Sequence, residues 1–322
     1  MKVHNVVPMK VDSGILNEDI GIAHAGSAAY ATTFTNKVTL GAISPNSPSI
    51  ESHNGRLYIA WKGDGSNNIN VTCSGDNGRT FGGIFNSPAT SSQAPALCSH
   101  NDILFICWTC VKTFYLNVAR VNLTGNSITG LSNKITLPFT SPVRPSLASF
   151  NSALYIAWKG ARNDTFSLMY SNDSGAAFGN KCDFTEDTTH GLGLAAHGRD
   201  LYIAWKGERN DRLNVARVQL SSDAIIGLSN KVILPDISPD SPSLLSLRER
   251  IYISWRGDVN KNLNIGCSIN NGASFGNKYK SPEASRHAPA LCAHNGVVFI
   301  SWTGLESGYI NIARVFTHLS TI

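Results

Sequence analysis

The sequence predicts an all-β protein, a six-bladed β-propeller with four-stranded blades, and three observations predict it. One seven-residue phrase occurs six times: LYIAWKG at 57–63, LFICWTC at 104–110, LYIAWKG at 154–160 and again at 201–207, IYISWRG at 251–257 and VFISWTG at 298–304. All six tryptophans (Trp61, Trp108, Trp158, Trp205, Trp255 and Trp302) fall one to a copy, at intervals of 47, 50, 47, 50 and 47 residues. The true unit is therefore a pair of repeats with a period of 97 residues, a range that belongs to solenoids, propellers and arrays. Finally, one segment of an even repeat appears near the start of the chain, before any repeat it could belong to.

The phrase itself reads as a strand, because β-branched and aromatic residues dominate it and Gly usually closes it. Alternation puts Leu57, Ile59 and Trp61 on one face and Tyr58, Ala60 and Lys62 on the other. Both faces are apolar up to the last residue, so the strand must be covered on both sides. That suits a sheet packed between two neighbouring sheets.

Around the phrase, the first unit reads as four strands: PSIESH at 48–53, LYIAWKG at 57–63, NINVTCS at 68–74 and TFGGIF at 80–85. The out-of-place segment is FTNKVTLG, beginning at Phe34, which matches LSNKITLP at 131–138 and LSNKVILP at 228–235. The final repeat ends at INIARVFTHLSTI without such a strand. The N-terminal strand at 34–41 is expected to complete the last blade and so close the ring. The domain reading is an N-terminal extension over 1–33 and one propeller over 34–322, built of three ~97-residue blade pairs. An open β-solenoid is the structural rival, and it would need no closing strand.

Charged residues make up 15% of the chain, and Gly, Ser and Asn flank short apolar runs, as many strands and tight turns require. The net charge of +5 is spread by the repeat with no Lys/Arg cluster, so no nucleic-acid partner is expected. No apolar window is long enough for a transmembrane segment. The N-terminal MKVHNVVPMKVDSG lacks the apolar core of a signal peptide, so the expected location is the cytoplasm, or outside the cell by a non-classical route. No cofactor is expected. His53, His100, His197 and His294 recur in one turn without the spacing of a metal set. The seven cysteines are odd in number, and Cys98 and Cys292 share a repeat position with Ala195, as Cys73 and Cys267 do with Tyr170. Such exchange marks buried filler rather than a disulfide framework.

Three turns between third and fourth strands carry a second pattern. Ser74, Asp76, Gly78, Thr80 and Phe81 form the full version. Ser171, Asp173, Gly175 and Phe178 form the second, with Ala177 for Thr, and Ser268, Asn270, Gly272 and Phe275 the third, with Asn for Asp and Ser274 for Thr. This pattern resembles the Asp box of sialidases and other BNR-repeat propellers. The resemblance implies a sialidase-like fold in which the box is structural and lies away from the active site. It also implies what catalysis would need: three convergent arginines, a Tyr nucleophile activated by Glu, and an Asp acid. The early R-I-P-type motif that carries the first arginine is missing, and the nearest Arg-Pro is Val143-Arg144-Pro145 in mid-chain. The resemblance thus points to a non-catalytic, lectin-like member. Even repeats replace the box with longer excursions at 122–137 and 219–234, which implies pseudo-threefold symmetry of blade pairs.

Two repeated positions are candidate ligand sites. Trp61 with Lys62, Trp158 with Lys159, Trp205 with Lys206 and Trp255 with Arg256 pair an aromatic ring with a cation at the end of the second strand. A ring can stack on a pyranose while fixed donors meet its hydroxyls or carboxylate. The alternative is that each Trp is core and each cation pairs with an acid such as Asp64, Glu208 or Asp258. Gln93, His190 and His287 precede the first strands of even units, where they either orient a glycan or close the loop. The resulting reading is a carbohydrate-binding, lectin-like propeller with several repeated sites, whose partners are glycans or glycoconjugates. Two further readings are a protein-interaction or cell-attachment scaffold and a sialidase-like hydrolase.

Overall fold

A computed structural model describes residues 30–221 and 224–319, so the expected N-terminal extension lies, as far as residue 29, outside the described residues. Among the described residues all 24 elements are strands, arranged in six antiparallel four-stranded sheets. Blades 1 to 5 span 49–90, 96–140, 146–187, 193–237 and 243–284, and blade 6 joins 290–319 to 30–43. In blade 1 the order from the axis outward is Ser49–His53, Arg56–Lys62, Asn68–Ser74 and Phe85–Thr90, and the other blades repeat it. The innermost strands pack against one another all the way around the axis.

The core lies between blades. Leu154, Ile156 and Trp158 pack against Leu116, Val118 and Leu137 of blade 2, while Tyr155 and Ala157 turn to Leu201, Ile203 and Trp205 of blade 4. Both faces of the repeated strand are thus buried, as its apolar alternation requires. Each such large side chain contributes about 1.5–3 kcal/mol by leaving water.

The ring closes on its own termini. Tyr30–Ile43 pairs antiparallel with Tyr309–Leu319, in register from Tyr30 opposite Leu319 to Ile43 opposite Tyr309. The closing strand begins at Tyr30 rather than Phe34, and its edge becomes the outermost edge of blade 6. One strand differs more from expectation: the fourth strand of blade 1 is Phe85–Thr90, not 80–85. Gly82 and Gly83 offer no side chain to pack, and continuous pairing with the third strand starts only where Phe85 meets Val71.

The three box turns share one hydrogen-bond pattern. Ser74 Oγ donates to Asp76 Oδ1 at 2.8 Å and accepts from Gly78 N at 2.9 Å, while Asp76 Oδ1 accepts from Thr80 N at 2.9 Å. Ser171 with Asp173, and Ser268 with Asn270, repeat the arrangement, so Asn270 keeps the acceptor that the turn needs. Hydrogen bonds led by the Thr80 hydroxyl hold the Asp76 carboxyl well below the usual carboxylate range. Phe81, Phe178 and Phe275 pack at the margins of the core. The glycines have φ of +78°, +78° and +76°, and each also sits on an aromatic ring of the preceding even blade. A Cβ would lie 3.0 Å from Phe299 at Gly78, 2.6 Å from Phe105 at Gly175 and 2.8 Å from Tyr202 at Gly272. Each box turn therefore seats an odd blade on the blade before it.

Candidate functional site

Six loops leading into the innermost strands converge at one end of the axis. Each presents the same repeat position there: Asn46, Gln93, Val143, His190, Asp240 and His287. Their backbones are fixed by the hydroxyl two residues earlier. Ser91 Oγ donates to the Gln93 carbonyl at 2.6 Å, Thr188 Oγ1 to His190 at 3.2 Å, Ser238 Oγ to Asp240 at 2.9 Å and Ser285 Oγ to His287 at 2.7 Å. Backbone bonds from Ser44, Ser91, Ser141, Thr188, Ser238 and Ser285 tie these loops to the turns between second and third strands. Loop closure thus rests mainly on serine, threonine and backbone, and the six side chains line a polar mouth of about 250 Å³.

Arg144 dominates that mouth. Five repeats place a small residue next in sequence (Ser47, Ala94, Gly191, Ser241 and Ala288), and only blade 3 has a long one. Its guanidinium crosses from blade 3 toward blade 5, with Nη2 3.4 Å from the Pro242 carbonyl. Gly191 gives it room, since a Cβ there would stand 2.7 Å from Arg144 Cγ. The neighbouring Asp240 forms no ion pair with it within 4 Å. Asp240 Oδ1 instead accepts from Ser241 N and Oδ2 from Ala288 N, both at 2.7 Å. In the sequence Arg144 stands out only as the nearest Arg-Pro to a missing motif, and the run of small residues at its equivalents is the signal that marks it.

Of the residues expected to bind ligand, Gln93, His190 and His287 do come together here. Gln93 Oε1 accepts from Asn46 Nδ2 at 3.4 Å. Burial lowers both histidines below their ordinary range, against an opposing pull from Asp240. Lys206 Nζ donates to Thr189 Oγ1 at 3.1 Å, and the same hydroxyl lies 2.9 Å from His190 Nδ1, which anchors the imidazole through that nitrogen.

The tryptophan sites are corrected. Trp61, Trp158, Trp205 and Trp255 are at most 2% exposed and cannot stack on a ligand. They are wedged between blades, and an outer-strand lysine covers most of them: Lys181 over Trp158 at 6.0 Å, Lys231 over Trp205 at 5.3 Å and Lys278 over Trp255 at 5.3 Å. Asn180, Asn230 and Asn277, each with φ near +50°, bulge the outer strand just before these lysines. Lys159 and Lys206 are corrected as well. Both are buried and each pairs with an acid of its own tight turn, Lys159 with Asp164 at 3.0 Å and Lys206 with Asp211 at 2.6 Å, as the alternative of a cation paired with a nearby acid has it. Arg256 Nε donates to the Ser285 carbonyl at 3.2 Å, a structural bond, and Lys62 is half-buried at its strand end. The exposed aromatics of this face are instead Phe114, Tyr115 and Tyr309, at the turns between second and third strands.

Below the mouth the innermost strands enclose a channel of about 290 Å³ lined by Glu51, Cys98 and Cys292 among others. Burial pushes the Glu51 carboxyl up to about 8, against a bond from Ser52 N. Burial and Glu51 also raise the Cys98 and Cys292 thiols, which makes them inert filler. No cysteine is in a disulfide among the described residues.

No protein-family profile matches the sequence, and no curated protein matches it. Solved structures do match. A Hadza microbial sialidase, Hz136, superposes with a TM-score of 0.63 at 13% identity, over 85% of this chain and 65% of its own. The Trypanosoma rangeli sialidase does so with a TM-score of 0.60 at 13% identity, over 88% of this chain and 59% of its own. The chain has a sialidase-like fold. The sialidase-like propeller spans about two thirds or less of those two enzymes' lengths. A protein of unknown function from Dyadobacter fermentans matches it nearly end to end, with a TM-score of 0.63 at 13% identity over 90% of this chain and 99% of its own. At these identities the likeness is one of fold.

Proposed function

We propose that this sialidase-like propeller is a carbohydrate-binding, lectin-like protein whose principal site is the axial mouth, and that its ligand is a sugar bearing a carboxylate. Arg144 carries the reading: a guanidinium held across the axis at a position where every other repeat has a small residue. Arginine meets a carboxylate with two parallel hydrogen bonds, and the Pro242 contact at 3.4 Å leaves most of its donors unused. His190 Nε2 and the amides of Asn46 and Gln93 add donors and acceptors for hydroxyl groups. The solved sialidases of the same fold make sialic acid the first sugar to try. The repeated Trp–Lys pairs are not part of this site.

The lining favours binding over hydrolysis. A hydrolase of the sialidase type would need a Tyr nucleophile, a Glu to activate it and an Asp acid; neither Tyr nor Glu lines the mouth, and both oxygens of its one carboxylate, Asp240, are occupied by backbone amides. Phe114, Tyr115 and Tyr309 on the same face offer rings to further sugar units of a longer glycan.

The test is calorimetric titration with N-acetylneuraminic acid and glucuronic acid at low and high salt, on the protein and on Arg144→Ser. Binding of one acid that weakens with salt and falls about tenfold or more in the variant is expected. Equal binding by Arg144→Ser would sink the axial site. Release of the fluorophore from a sialyl reporter, proportional to pure enzyme, would replace the lectin reading with the hydrolase.

A further inference from the structure

The mouth is divided into two halves. At the shared repeat position, the loops into blades 1 to 3 present Asn46, Gln93 and Val143, which do not titrate, and those into blades 4 to 6 present His190, Asp240 and His287, which do. Arg144 belongs to the first half by sequence, but its guanidinium reaches into the second, to the Pro242 carbonyl of blade 5. A carboxylate seated on Arg144 therefore arrives between the two blades that carry histidine. The hydroxyl groups of the sugar are left to the amides of Asn46 and Gln93.

Both histidines are set among fixed charges. Lys206, Asp211, Arg144 and Asp240 face His190, and Arg256, Arg286, Arg144 and Asp240 face His287. Burial is the leading influence on both rings and disfavours their charged form, and the cations add to it against the pull of the aspartates. Asp240 is itself pinned, since Ser241 N and Ala288 N donate to its two oxygens at 2.7 Å each. With that as its only carboxylate, the mouth holds two neutral imidazoles beside a guanidinium at pH 7.5 and above. A second carboxylate on Arg144 changes the balance. It offsets the opposition of the guanidinium and adds an attraction of its own, and an opposite charge within about 4–6 Å favours an imidazolium by about tenfold or more.

We infer that the mouth takes up protons together with its ligand: as an acidic sugar seats on Arg144, His190 and His287 become imidazolium, so the site grips in acid and releases toward alkaline pH. The inference rests on the axial reading and adds its regulation. Coupling between two bound species is reciprocal, so protons that the sugar helps to bind must in turn help to bind the sugar. The carboxyl of the sugar stays ionised above about pH 5 and contributes nothing to the change.

The experiment is calorimetric titration with N-acetylneuraminic acid and glucuronic acid at about pH 8.5, 7.5, 6.5 and 5.5, each in two buffers of different ionisation enthalpy. The variants are His190→Gln and His287→Asn, singly and together, which put in the residues that blades 2 and 1 carry at the same position. Fluorescence of the six buried tryptophans checks that the ring is folded at each pH. Affinity for one acid is expected to rise about tenfold or more from pH 8.5 to 5.5, with heats that differ between buffers as protons are taken up. Each single variant should weaken that dependence, and the double variant should leave it flat. An acid that binds with a flat profile, or a slope that the double variant keeps, would overturn the proton uptake and leave the axial site standing. Absence of binding by both acids at every pH would overturn the axial reading and this inference with it.

Discussion

Nδ1 of His53 lies 2.8 Å from Oγ of Ser99, across the seam between blades 1 and 2. The same bond, at the same distance, joins His100 to Ser149, His197 to Ser246 and His294 to Ser52. At the two remaining seams both partners have changed together, to Phe150 facing the Ala196 position and Leu247 facing the Ala293 position. A belt of four polar staples and two apolar ones therefore encircles the ring at the end away from the mouth.

Breaking one staple on one side should cost more than replacing it whole. Ser99→Ala leaves a buried imidazole nitrogen unpaired and is expected to cost about 1–3 kcal/mol. His53→Phe combined with Ser99→Ala reproduces the blade 3–4 seam and should recover most of that loss. A double-mutant cycle in urea measures the coupling, and additive losses would show that the bond is incidental.

Stability should fall on the acid side because of this belt. Burial holds His53, His100 and His294 below the ordinary histidine range in the folded protein. The unfolded chain takes up those protons at about pH 6.5. The contribution is therefore complete above about 6.5 and is lost as pH drops through the lower folded values. Melting curves from pH 8 to 4.5 should show the decline, and His100→Phe with Ser149→Ala should shallow it.

Glu51 works in the opposite direction. Its folded value of about 8 lies above its ordinary 4.5, so its contribution is complete below about 4.5 and is lost as pH rises toward and through 8. Glu51→Gln should raise stability at pH 9 by roughly 1–3 kcal/mol and change little at pH 4.5. Chemical denaturation at the two pH values checks both halves of the statement.

The box glycines should tolerate no side chain. Gly175→Ala meets Phe105 at 2.6 Å with φ of +78° and is expected to lose about 2 kcal/mol or more, whereas Gly83→Ala, in open space, serves as the neutral control. Equal melting temperatures for the two variants would contradict the seating of blade 3 on blade 2.

Gly191→Ala should act on the mouth without touching a ligand. Its Cβ would collide with Arg144 Cγ and with the Arg144 carbonyl at 2.9 Å, so the guanidinium must move off the axis. Affinity for an acidic sugar is expected to fall about as far as in Arg144→Ser, measured by the same titration.

The ring was legible in the sequence because repetition, alternation and the displaced strand at 34–41 all describe backbone, and backbone obeys local rules. The site was not, because its determinants are exceptions to the repeat. Trp61 and its equivalents looked like ligand platforms because aromatic next to cation is a binding pattern. What buries them is the neighbouring blade, and what caps them is a lysine after a left-handed asparagine, as in Asn230-Lys231. The partners of Lys159 and Lys206 were not legible residue by residue, because the tight turn brings back the Asp at its far end rather than the acid next in sequence. Arg144 was visible only as a departure, and a departure acquires meaning once the structure shows where it reaches.

The closing strand at 30–43 has a consequence in time. It leaves the ribosome before every other strand described, yet its ladder partner among the described residues is the last of them, 309–319. Blades 1 to 5 can each form their own sheets as they emerge, but the edges of the ring stay open throughout synthesis. Closure of the ring is thereby tied to synthesis of the strand at 309–319, and a ribosome that stalls before it holds a necklace without a clasp.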